Sequence, residues 1–88
     1  MNLQQLRIDI DNIDTQLITL LSKRFIATRE IGKLKHQDNK DPIDTNRLNQ
    51  LCDKWINEST EQEVNPELSL QILNTIHRYV VAEHKELK

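Results

Sequence analysis

The reading of the fold turns on Leu3–Lys35, LQQLRIDIDNIDTQLITLLSKRFIATREIGKLK. Apolar residues recur there at Leu3, Leu6, Ile10, Ile13, Leu17 and Leu20, then at Ala27, Ile31 and Leu34. The steps alternate between three and four, which draws one stripe along an α-helix. The register breaks once. Between Leu20 and Ala27, where an apolar residue is due, stands Arg24. A cation on the buried seam of a helix costs several kcal/mol unless an anion meets it. That anion is either a nearby acid, Glu30 or Asp14, or a ligand.

The stretch predicts a helix of about 33 residues, roughly 50 Å long at 1.5 Å per residue. A compact chain of 88 residues has a radius of gyration of only about 12 Å. Such a helix overhangs its own globule and leaves its stripe wet. A second copy is the simplest cover, so a dimer is expected from length alone.

Working outward, His36–Pro42 (HQDNKDP) is a polar break and the best loop candidate. Asp44 then reads as the N-cap of a second helix. That helix shows Leu48, Leu51, Cys52, Trp55 and Ile56 on one face and fades in the polar NESTEQE stretch. A third helix opens at Asn65-Pro66-Glu67, with an N-cap, a proline at the first helical position and an acid in the first turn. Its predicted apolar face is Leu68, Ile72, Ile76, Tyr79 and Val80, and it should run to about Lys85. One glycine and two prolines argue against a many-stranded sheet. The expected fold is all-α: three helices per chain, long, short and medium, doubled into a six-helix homodimer. Residues 1–88 form a single domain.

Composition excludes several functions. The net charge of −2 provides no basic field for a nucleic-acid backbone. No apolar run approaches the ~20 residues of a membrane span, and the N-terminus is acidic and amphipathic rather than a signal peptide. A cytoplasmic protein is expected. The single Cys52 forms no intramolecular disulfide and is expected to be a small buried apolar residue. His77 and His84 stand seven apart, not at the i, i+4 spacing of paired ligands, and no carboxylate completes a metal set. His84 lies four residues after Val80, so it looks inward, as a satisfied core histidine or as a donor to a ligand. No nucleophilic triad and no glycine-rich phosphate loop is present.

Four cations lie on or beside apolar faces: Arg7, Arg24, Lys35 and Arg47. Each can be a snorkelling side chain with its head in water. Arg24 and Lys35, however, are about three turns and roughly 16 Å apart and point nearly the same way. Together they could grip opposite ends of one small ligand. Arg7 is roughly 26 Å from Arg24 and reaches that ligand only from a partner chain. Guanidinium forks bind carboxylates in bidentate fashion, so such a pocket suits a small dicarboxylate.

The series Arg7…Asp14…Arg24…Gly32…Lys35…Asp44…Arg47 resembles the all-helical (type II) chorismate mutases of the AroQ class. The likeness includes the LRIDIDNIDTQLITLLSKR opening, the IGKLK end of the long helix, the D-x-x-R start of the second helix and the VNPEL start of the third. It implies an intertwined homodimer with two active sites, each using residues of both chains, and an isomerase acting on chorismate within the shikimate pathway of aromatic amino acid biosynthesis, with no metal or cofactor. Chorismate would rearrange to prephenate in one pericyclic step, by positioning and electrostatics. Transferred by position, the resemblance implies that Arg24 and the partner subunit's Arg7 hold carboxylates. Lys35 would donate to the ether oxygen, and Arg47 and the backbone near Asp44 would line the ring side. Three positions depart from the pattern. Leu48 stands where a Glu commonly accepts from the ring hydroxyl, Val80 where a carboxylate-binding Ser is frequent, and His84 where a Gln donates to the ether oxygen. An imidazole can still donate, more strongly when charged. Isochorismate pyruvate-lyase, aminodeoxychorismate mutase and a non-catalytic helical dimerisation module are the competing readings.

Overall fold

A computed structural model describes residues 1–87. They form three helices: α1 over Leu3–Gln37, α2 over Thr45–Glu61 and α3 over Pro66–Glu86, with no strand among the described residues. Each helix starts on a side-chain cap, because the first amide groups of a helix lack intrahelical partners. The Asn2 carboxamide accepts from the Gln5 amide at 2.8 Å, Asp44 from Arg47 at 3.0 Å, and Asn65 from Glu67 at 3.0 Å. Pro66 occupies the first turn of α3, where its missing N–H costs nothing.

Two boundaries move slightly from expectation. α1 continues past Lys35 to Gln37, because neither His36 nor Gln37 breaks a helix. Asp38 is its C-cap, and at Asn39 a φ of 56° takes the chain left-handed while the Lys40 amide donates to the Lys35 carbonyl at 2.8 Å. α2 runs through most of the polar NESTEQE stretch to Glu61, and its continuation is useful: Ser59 is buried there. Ser59 donates to the Ser69 hydroxyl at 2.6 Å, so two polar groups satisfy one another inside the α2–α3 contact.

α3 is the central element and packs against both α2 and the second half of α1. Its buried face is Ser69, Leu73, Ile76 and His84, which corrects the face read from periodicity. Leu68, Ile72 and Tyr79 are exposed in the single chain. A helix with two neighbours has a wide apolar arc, and spacing alone does not say which edge of that arc is covered. Cys52 is half-buried rather than buried.

The N-terminal half of α1 leaves the globule. Leu3, Leu6, Ile10, Ile13, Leu17 and Leu20 are 44–62% exposed. The molecule measures 54 × 23 × 14 Å with a radius of gyration of 16.1 Å, well above the ~12 Å of a compact chain this long. None of the helices among the described residues is long and apolar enough to cross a membrane.

Candidate active site

The second half of α1, the segment before α2, the first turns of α2 and the C-terminal half of α3 enclose a cavity of about 270 Å³. Its wall contains Arg24, Lys35, Asp44, Arg47, Leu48, Val80 and His84. Seven of the eight residues singled out from the sequence therefore converge. Arg7 does not. It lies exposed on the protruding part of α1, outside this cavity.

Arg24 is half-buried. Loss of water holds its guanidinium below the ordinary arginine range, and the positive charge of Arg47 lowers it further. It stays cationic at neutral pH because its starting point is so high. Of the two acids offered as structural partners, Glu30 pairs instead with Lys33 at 3.2 Å. Asp14 sits ten residues back, roughly 15 Å along the helix. No ion pair among the described residues neutralises Arg24.

Lys35 reaches the Pro42 carbonyl at 3.4 Å, which ties the end of α1 to the α1–α2 loop and leaves other ammonium protons free. One oxygen of Asp44 is committed to capping α2. The wall thus holds three cations against a single, partly occupied carboxylate. Leu48 and Val80 add apolar surface without hydrogen-bonding capacity, as the sequence shows.

His84 is buried at 7% exposure. Its Nε2 lies 2.8 Å from the Thr28 carbonyl oxygen on α1, while Nδ1 is buried with no partner. The ring rests on Gly32: a Cβ there would sit 2.5 Å from Cδ2 and 2.9 Å from Nε2. α3 therefore comes this close to α1 only because position 32 carries no side chain. Outside the cavity, Arg29 clasps Glu83 with two 3.2 Å hydrogen bonds and ties the same two helices together.

Two residues were given no site role in the sequence reading. His77 also lines the cavity, two turns before His84 on the same face; the seven-residue spacing that argued against a metal pair was the signal. Gly32 is the chain's single glycine, and its place within a helix, where glycine costs about 1 kcal/mol, already called for a packing reason. No cluster of His, Cys, Asp or Glu among the described residues could hold a metal ion.

The three helices thus hold a small cationic cavity between them, whose charge suits an anionic ligand. The family model for chorismate mutase type II matches residues 6–85. The chain belongs to the type II chorismate mutases, an isomerase family. No curated protein matches the chain.

Proposed function

We propose that the chain catalyses the rearrangement of chorismate to prephenate as a cytoplasmic homodimer, each of its two sites completed by the partner subunit's Arg7. The observation that carries this reading is Arg24: a half-buried guanidinium beside Arg47 and Lys35, in no ion pair among the described residues, in a wall whose one carboxylate, Asp44, is partly committed to capping α2. Removing charge from water without a partner is unfavourable, and a bound dicarboxylate supplies the missing negative charge.

The reaction breaks one C–O bond and forms one C–C bond within a single molecule, so no group of the protein needs to become covalently attached. Arg24 and the partner subunit's Arg7 hold the two carboxylates and fold the enolpyruvyl arm over the ring. Lys35 donates to the ether oxygen as that bond lengthens and negative charge collects there. His84 gives the second donation, while Arg47 and the segment at Asp44 close the ring side. The dimer is supported by the exposed stripe from Leu3 to Leu20 and by the 16.1 Å radius of gyration.

Leu48 favours a second reading. It offers no acceptor for a ring hydroxyl, which suits a lyase that removes pyruvate from isochorismate or a mutase for aminodeoxychorismate. Incubation with chorismate and separately with isochorismate, followed by product identification, decides. Prephenate from chorismate supports the proposal. Salicylate plus pyruvate from isochorismate alone assigns the lyase, and no turnover of either substrate refutes both the chorismate mutase and the lyase.

A further inference from the structure

His84 can be read beyond its presence in the cavity, because its surroundings determine which nitrogen carries the proton. A backbone carbonyl oxygen only accepts hydrogen bonds. The 2.8 Å approach of Nε2 to the Thr28 oxygen therefore requires a hydrogen on Nε2. In the neutral ring Nδ1 then has a lone pair and no hydrogen. That nitrogen is buried and unpartnered, an arrangement that is unfavourable unless something else meets it. Contact with Gly32 runs along the Cγ–Cδ2–Nε2 edge, so Nδ1 lies on the side of the ring turned away from Gly32.

We propose that Gly32 and the Thr28 carbonyl are positioning residues that lock His84 as its Nε2–H tautomer. Any donation to a ligand then has to come from Nδ1, which is an acceptor in the neutral ring and a donor only when the ring is protonated. The ligand side of this statement rests on the function proposed above. There His84 is asked to donate to an ether oxygen, which accepts only. The neutral ring sets a lone pair against that oxygen; the imidazolium sets an N–H against it. Donation by His84 is thereby confined to the acid side.

The charged and titratable groups that share the cavity wall with the ring are Arg24 and Lys35 from α1, Asp44 and Arg47 from the start of α2, and His77 from α3 itself. On the outer side lie His36, Lys40 and Lys85 along one shallow cleft, and Arg29, Glu30, Lys33 and Glu83 along another. None of these supplies Nδ1 with a partner.

Two measurements test the lock, and they fail separately. Imidazole ¹⁵N spectra of the unliganded dimer report the tautomer of His84 whatever the substrate is. The expected pattern is Nε2–H in the neutral ring, and a dominant Nδ1–H tautomer overturns the proposal. Gly32→Ala should move the ring off the Thr28 oxygen and mix the two tautomers; an unchanged ¹⁵N pattern in a folded Gly32→Ala protein removes Gly32 from the role. If that variant does not fold, the wild-type spectrum still decides. The second measurement is kcat/KM against pH, on whichever substrate the wild type consumes. A fall of about tenfold per pH unit on the alkaline side is expected for a single required proton, and His84→Gln should abolish that slope. A slope that survives in His84→Gln overturns the donor half of the proposal. A wild type that consumes neither substrate refutes the proposed function, and with it the ligand half, while the tautomer result stands on its own.

Discussion

Gly32→Ala is the sharpest test of how the α1–α3 contact is built, because two effects of known sign oppose each other there. In a helix interior alanine is better than glycine by about 1 kcal/mol. If propensity were all, the variant would be more stable. Against this stands the geometry. The new methyl would lie 2.5, 2.9 and 3.2 Å from three ring atoms of a buried histidine. Relief needs a shift of roughly 1 Å, and overpacking of that kind costs about 1–3 kcal/mol. The shift also pulls Nε2 from its 2.8 Å hydrogen bond to Thr28, and a buried polar group left unpaired costs about 1–3 kcal/mol more. Taking each cost at about 1.5 kcal/mol, the net expectation is a loss of about 2 kcal/mol, or roughly 10 °C in Tm for a domain of this size.

The clean experiment is a double-mutant cycle with His84→Ala, followed by urea unfolding at one fixed protein concentration, since a dimer's apparent stability depends on concentration. With the ring removed, the methyl added by Gly32→Ala has nothing to strike. It should then stabilise by up to about 1 kcal/mol. The effect of the same methyl reverses sign between the two backgrounds, a coupling of roughly 3 kcal/mol. Stabilisation by Gly32→Ala in both backgrounds would refute the claim that the ring's seat requires glycine.

Three further outcomes follow from the same structure. Arg24→Leu should abolish turnover yet leave the unliganded fold as stable or more so, because it removes a desolvated cation facing Arg47; loss of helicity on far-UV circular dichroism would contradict this. Ser59→Ala or Ser69→Ala should each cost about 1–3 kcal/mol by orphaning the other hydroxyl, whereas the double substitution should cost less than the sum; additive losses in chemical denaturation would show that the pair is not coupled. Mixing inactive Arg7→Ala and Lys35→Ala subunits should restore up to about a quarter of wild-type activity, since one site of each hybrid carries neither lesion. Exchange of subunits without recovered activity would remove Arg7 from the site.

The parts of the fold that were legible were those governed by local chemistry. Asp44 and Asn65 announce helix starts because a side-chain oxygen can serve the free amides next to it, and both do so at 3.0 Å. Arg24 was legible because a charge interrupts an otherwise regular stripe. The buried edge of α3 was not. Leu68, Leu73 and Ile76 all belong to one broad apolar arc, and only the placement of α1 and α2 on either side decides that Leu73 is 1% exposed while Leu68 is 50% exposed. His77 was missed for a related reason: its meaning depends on Leu48 and Leu51 of another helix lining the same cavity. Long-range proximity of that kind leaves no trace in the spacing along a single helix.

The long helix and the unpaired arginine have a common physical origin. A helix long enough to leave its own globule has an end that contributes nothing to its own core, as the exposure of Leu3 to Leu20 shows. Its far half contributes Arg24 and Lys35 to a cationic cavity, and Gly32 as the seat of the His84 ring that lines it. Either feature alone is unfavourable: wet apolar surface on one half, desolvated like charges on the other. In the dimer proposed above, a second copy would relieve the first by covering the stripe and would bring Arg7 toward a site it cannot reach within its own chain, where a dianion would relieve the second. In the proposed dimer, assembly and ligand binding offset two separate instabilities of the same helix. For that reason substitutions that stabilise the isolated chain, Arg24→Leu above all, are expected to be those that remove its activity.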